Sequence, residues 1–166
     1  VANGGIALPA TMLRQPDVAK NAATEGRRVF SPATSERMRR LLRLVVAQGT
    51  GRNAAAKGYL VGGKTGTAEK ISTKGYARKS LRASFVGAFP MQAPRYAVFV
   101  MLDEPKGDKK SFGYATGGWV AAPLVSRIVT RMAPLVGVAP IDENAPAIKQ
   151  QMFIEINDRG QRLASF

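Results

Sequence analysis

The sequence contains no cysteine and no histidine. The first absence excludes disulfides and thiol catalysis within the chain and leaves the redox compartment open. The second excludes a Ser-His-Asp relay and a His-based zinc site. A serine nucleophile working with these residues would take its base from Lys, a carboxylate or a group outside the chain. Aromatics are scarce at 7%, which offers few stacking platforms for single-stranded nucleic acid. No apolar run is long enough to cross a bilayer, and there is no secretion signal. The initiator Met is also absent: the chain opens on Val1-Ala2-Asn3, and the expectation is a piece of a longer polypeptide. Acidic residues number only 11 against 25 Lys and Arg, for a net charge of +14. Such a charge attracts nucleic acid, anionic lipid or acidic substrates without choosing among them.

What remains is globular. A length of 166 residues with 45% hydrophobic and 22% charged residues supports one domain with a real core. Ala2-Asn3-Gly4-Gly5 reads as a helix ending, followed by short extended pieces at 6–9 and 11–13. Ser31 and Pro32 open a helix over 32–48, with Met38, Leu41, Leu42, Val45 and Val46 on one face and Gly49 as its stop. Arg37, Arg39, Arg40 and Arg43 read as its solvated face rather than as phosphate contacts. Tyr59-Leu60-Val61 starts a strand expected over 59–69, and a polar basic loop follows over 70–82. Strands are expected at 84–89 and 95–102. The five residues 90–94 between them allow an antiparallel hairpin but no crossover helix. Gly117-Gly118 leads to a helix over 119–133 with a wide apolar stripe. From Pro134 onward the chain reads as a linker or arm, with 152–156 as one candidate strand.

The stretch Gly58-Tyr-Leu-Val-Gly-Gly-Lys-Thr-Gly-Thr67 fits two motifs. Gly58, Gly63, Lys64 and Thr65 match the phosphate-cradling pattern G-x-x-x-x-G-K-[ST]. Lys64-Thr65-Gly66-Thr67 matches the K-T-G element of penicillin-reactive serine acyl-transferases. A phosphate cradle needs a strand, then a loop, then a helix opening near the Lys. Here the strand signal falls inside the loop, and Gly66, Thr67, Thr73 and Gly75 oppose the helix. With 17 Gly in 166 residues, a chance Gly58 is about one in ten. With nine Thr in the chain, a chance Gly66-Thr67 pair is on the order of one in two hundred. The second frame prevails, although Ala97–Glu104, an apolar strand ending in acid, resembles a Mg²⁺-holding strand.

On a strand, Lys64 and Gly66 share one face while Thr65 and Thr67 share the other. The lysine supplies a fixed positive field and can hold a hydroxyl in a proton-transfer network. Gly66 lets an extended substrate backbone approach. The threonine hydroxyls can bind a terminal carboxylate, and a free strand N–H can serve in an oxyanion hole. The plain structural alternative is a basic edge strand with Gly at a bulge.

Around this core lie Gly58–Lys70, Ser84-Phe-Val-Gly-Ala-Phe-Pro90, Arg95–Lys106 and Gly117-Gly-Trp-Val-Ala-Ala-Pro123. With Ala2–Gly5 and Gly49-Thr50-Gly51, they resemble the class B penicillin-binding proteins, the D,D-transpeptidases of peptidoglycan synthesis, and most closely the division-specific members. The likeness covers most of residues 1–136, in family order. It implies an α/β (α+β) fold, an antiparallel sheet flanked by helices, forming the C-terminal part of a transpeptidase domain over 1–136 with a tail over 137–166. It implies catalytic roles for Lys64 and Thr67: Lys64 contacting the S-x-N serine, and the Thr67 amide completing the oxyanion hole. It implies that Thr65, Gly66 and Thr67 bind a D-Ala-D-Ala stem peptide or a β-lactam, with residues 71–83 forming a loop beside the cleft. No cofactor or metal is implied. The location would be the periplasmic side of the bacterial inner membrane, with division-complex membrane proteins as partners. None of the eight serines fits the S-x-x-K or S-x-N pattern of the family. The nucleophile is therefore expected upstream in the same polypeptide, and the chain alone is expected to be inactive. Rival readings are a nucleotide-binding P-loop protein, a basic nucleic-acid-binding domain and, within the fold, a β-lactamase or penicillin-sensing relative.

Overall fold

The structure, a computed structural model, describes residues 1–9, 26–72 and 75–154. Strands β1 (Ile6–Ala7) and β2 (Arg27–Arg28) form a small antiparallel ladder. Helix α1 (Pro32–Ala47) follows, then a 3₁₀ turn at Arg52–Ala54. Strands β3 (Gly62–Ser72), β4 (Gly75–Phe89) and β5 (Tyr96–Asp103) make an antiparallel sheet in the order β3-β4-β5. A π-helical turn at Gly117–Ala121 runs into α2 (Ala122–Leu135), and α3 (Pro146–Met152) closes the described chain. The expected α+β class with an antiparallel sheet flanked by helices is what forms.

Local chemistry explains most boundaries. The Ser31 side chain accepts from the Thr34 amide at 3.1 Å, capping α1, and Pro32 needs no amide partner there. Along β5, Tyr96, Val98, Val100 and Leu102 are half-buried while Ala97, Phe99, Met101 and Asp103 are exposed, the period of two of a strand with one covered face. Val46, Val61, Phe85, Phe89, Val125 and Val129 form the core between that face and the helices. A second cluster of Leu60, Met91 and Met152 lies apart from it.

Several expectations are corrected. Strand β3 begins at Gly62, not at 59, because the backbone before it is committed elsewhere. Tyr59 bridges back to Ala56, the Leu60 carbonyl accepts from the Met91 amide, and the Val61 carbonyl accepts from the Arg43 guanidinium. The basic segment 70–82, and with it the loop expected over 71–83, belongs instead to the β3-β4 hairpin, paired up to Ser72 and from Gly75 onward. Its polar composition hides the strand period. Lys70 donates to Asp103 at 3.1 Å and to Glu104 at 2.8 Å, clipping the hairpin to the end of β5. Hydrogen bonds with Lys70 hold both carboxyls below their usual range, and the Lys70 ammonium is pushed up by Glu104 and then Asp103.

Helix α1 turns most of its expected apolar face inward, with Val46 buried and Met38, Leu42 and Val45 half-buried, but the buried stripe is rotated to take in polar residues as well. Ser35, Arg43 and Val46 are buried, whereas Leu41 is exposed. Arg43 is therefore not a solvated residue. It donates to Glu143 at 2.7 Å and to the Val61 carbonyl at 3.1 Å, while the other oxygen of Glu143 accepts from the Gly58 amide. Burial lowers the guanidinium pKa and Glu143 opposes that shift.

Glu143 belongs to the segment read as a linker or arm, which instead packs against the body through Val138, Ile141 and Met152. Residues 146–152 are helical where a strand was expected from 152, and 155–156 fall outside the described residues. At the other end, Gly4 and Gly5 have the left-handed φ expected of them, 84° and 86°, and lead into β1. The extended piece expected at 11–13 also lies outside the described residues.

Candidate active site

Among the described residues β3 pairs only with β4, so one edge of the Lys64–Thr67 strand carries no sheet partner. Lys64 to Thr67 lie opposite Val86, Phe85, Ser84 and Ala83 in register. Phe85 and Ala83 are fully buried, which places Thr65 and Thr67 on the core-side face and Lys64 and Gly66 on the other. A strand starting at Gly62, in an antiparallel sheet, overturns the phosphate-cradle frame, which needs a helix at Lys64.

The two threonines meet a surface built from three other segments. Thr65 Oγ1 lies 3.1 Å from Thr50 Oγ1, in the turn after α1. Thr67 Oγ1 accepts from the Gly117 amide at 3.1 Å, and the Asn53 side-chain amide donates to the Gly118 carbonyl at 2.8 Å. Gly117 lies flat on the strand: a Cβ there would come within 2.5 Å of the Gly66 carbonyl and 2.3 Å of the Ser84 carbonyl. Between these segments is a cleft of about 360 Å³, lined by four threonine hydroxyls (Thr50, Thr65, Thr67, Thr116) together with Arg52, Asn53, Gly118 and Trp119. Trp119 stacks on Tyr114 at 5.9 Å and meets the edge of Phe112 at 5.4 Å.

Of the sequence-predicted site residues, Thr65 and Thr67 enter this cleft together. Gly66 lies between them, with Ser84 Oγ 2.6 Å from where its Cβ would stand. Lys64 does not line the cleft. It is exposed, and its ammonium donates to the Thr65 carbonyl at 2.9 Å. Asn53 and Thr116 escaped sequence reading, because an isolated amide and an isolated hydroxyl carry no local pattern. Thr50 and Trp119 stood only inside the stretches that carry the family resemblance. The cleft can offer hydroxyl donors and one guanidinium to an anionic end group, beside an aromatic surface.

Residues 1–130 match the family model described as the penicillin binding protein transpeptidase domain. The chain is 43% identical over 145 residues to the probable peptidoglycan D,D-transpeptidase FtsI of Caulobacter vibrioides, covering 82% of this chain and 24% of that protein. The structure resembles the apo transpeptidase domain of penicillin-binding protein 3 from Burkholderia pseudomallei, with a TM-score of 0.69 and 42% identity over 87% of this chain and 41% of that one. It also resembles penicillin-binding protein 3 from Mycobacterium tuberculosis in complex with ampicillin, with a TM-score of 0.63 and 28% identity over 79% of this chain and 29% of that one. The chain thus spans about a quarter of the length of the curated relative. The chain belongs to the penicillin-binding protein transpeptidase family.

Proposed function

We propose that these residues form one wall of the active site of a serine D,D-transpeptidase that cross-links peptidoglycan stem peptides. Residues 1–136 are the C-terminal part of its transpeptidase domain. The observation that carries the reading is the pair of threonines, Thr65 and Thr67, brought side by side into a concave, hydroxyl-lined cleft by an edge strand that reads Lys-Thr-Gly-Thr.

In this role Thr65 and Thr67 hold the terminal carboxylate of a D-Ala-D-Ala peptide. Gly66, without a side chain, lets the extended peptide lie along the strand. A serine outside these 166 residues attacks the penultimate carbonyl, its proton leaves through a network that includes Lys64, and the terminal D-Ala departs. The resulting acyl-enzyme passes its acyl group to the amine of a second stem peptide. The Thr67 amide stabilises the oxyanion of each tetrahedral intermediate. A β-lactam follows the first half of this path, its ring amide opening to leave a stable acyl-enzyme. The work is done on the periplasmic side of the inner membrane, in company with other membrane proteins of division.

The test is the rate at which the full-length polypeptide carrying this chain is acylated by a fluorescent penicillin. Replacing Lys64 by Ala removes an exposed side chain, so folding is unaffected. The acylation rate is expected to fall by on the order of 10²–10³-fold, as for loss of a transition-state donor. An unchanged rate would remove Lys64 from the mechanism.

A further inference from the structure

A hydroxyl has one proton to give and two lone pairs to receive, so what already points at a cleft threonine decides how it meets a ligand. Thr67 Oγ1 receives the Gly117 amide at 3.1 Å, and a backbone N–H can only donate. The Thr67 proton is thereby left for another acceptor. Thr65 Oγ1 lies 3.5 Å from the Lys64 ammonium, which also can only donate, and 3.1 Å from Thr50 Oγ1, where either oxygen can be the donor. The direction of the Thr50–Thr65 contact therefore sets the character of Thr65. If Thr65 gives its proton to Thr50, it meets the cleft with lone pairs, which repel an anion. If Thr50 gives, Thr65 keeps its proton for the cleft.

Thr50 is held in place for that contact. The amides of Gly49 and Gly51, on either side of it, both donate to the Val45 carbonyl, at 3.1 and 3.0 Å, which fixes the turn on the end of α1. Gly118 lies against the same turn: a Cβ there would stand 2.5 Å from the Thr50 carbonyl oxygen and 3.6 Å from the Thr65 methyl group. The Asn53 side chain in turn holds the Gly118 carbonyl at 2.8 Å.

We propose that Thr50 is a positioning residue, whose hydroxyl donates to Thr65 and so commits the Thr65 proton to the ligand's terminal carboxylate. The proposal rests on the reading that Thr65 and Thr67 hold that carboxylate, and it adds the origin of their selectivity. Both hydroxyls become donors, one directed by the Gly117 amide and the other by Thr50. A carboxylate accepts from both in charge-assisted bonds, roughly twice as strong as neutral ones. An esterified end group offers only a neutral carbonyl to the same pair, so Thr50 matters most when the ligand is charged.

The test uses the full-length polypeptide and its second-order rates of acylation by benzylpenicillin and by benzylpenicillin methyl ester, which lacks the charge. Thr50→Val keeps the shape of an exposed side chain and removes its hydroxyl. It is expected to slow acylation by benzylpenicillin about tenfold, the scale of one hydrogen bond in a charged network, and to leave the ester rate within about twofold. Thr50→Ser, which keeps the hydroxyl, stays within about twofold of the wild type on both ligands. Thr65→Val also slows benzylpenicillin selectively, and Thr50→Val added to it slows the reaction no further, since a residue that acts through Thr65 then has nothing to act on. Equal losses on both ligands would make the role of Thr50 structural and overturn the proposal. A wild-type rate in Thr50→Val, or a Thr50→Ser rate as low as that of Thr50→Val, would overturn it too. So would a further loss in the double variant, which would mark Thr50 as a direct contact of the ligand. In each of these cases a Thr65→Val variant impaired on benzylpenicillin alone leaves the cleft reading standing. Wild-type rates in Thr65→Val would overturn the cleft reading and the role of Thr50 with it.

Discussion

Arg43 carries a full charge at 6% exposure, held by the Glu143 carboxylate and the Val61 carbonyl. Its partner also caps the Gly58 amide. One guanidinium thereby ties helix α1, the segment entering β3 and the chain after α2 to a single point. Removing one member of a buried pair strands the other charge, whereas replacing both by apolar groups of similar volume is often neutral. Glu143→Ala is therefore expected to destabilise the protein by about 3 kcal/mol, read as a drop in the urea midpoint. Arg43→Met/Glu143→Leu is expected to recover most of that loss. A single variant as stable as the wild type would show that the pair is solvated in solution. None of this was legible in the sequence. Arg43 stands next to Leu42 among other arginines, and its partner lies 100 positions away, a separation that no local period reports.

At the scale of elements, the cleft depends on how closely the Gly117 turn lies on β3. A methyl at Gly117 would meet the carbonyl oxygens of Ser84 and Gly66, backbone atoms that cannot move aside. A methyl at Gly66 would meet only Ser84 Oγ, the end of a side chain that can rotate. Gly117→Ala is accordingly expected to cost several kcal/mol, in line with severe overpacking, and to lower the melting temperature sharply. Gly66→Ala is expected to stay within about 1 kcal/mol of wild type. Equal melting temperatures for the two variants would mean that the turn does not seat on the strand as described. Elements with a clean chemical signature were readable: the Ser31-Pro32 start of α1, the aromatic and β-branched residues of β5 and the apolar stripe of α2. The β3-β4 hairpin was only half readable. Its outer part is polar and basic over 70–82, so no apolar alternation marks it, and it is backbone pairing that shows the strands there. Likewise, Thr65 and Thr67 could be placed on one face by strand period alone, while Thr50, Asn53 and Thr116 join them only through tertiary packing.

For the whole molecule, the charge of +14 invited a nucleic-acid reading, but the family match and the cleft give the cations a more local meaning. Lys106, Lys110 and Arg127 gather around one pocket, and Lys70 and Arg82 are engaged with Asp103 at the hairpin. The central claim is that residues 1–166 supply the carboxylate-binding wall and a proton-transfer lysine, while the nucleophile comes from elsewhere in the polypeptide. Peptide mapping by mass spectrometry of the full-length polypeptide after reaction with penicillin tests this most directly. The account predicts one penicilloyl adduct, on a serine outside these 166 residues, and no adduct when the 166-residue chain is treated alone. An adduct on any of Ser31, Ser35, Ser72, Ser80, Ser84, Ser111, Ser126 or Ser165 would contradict it.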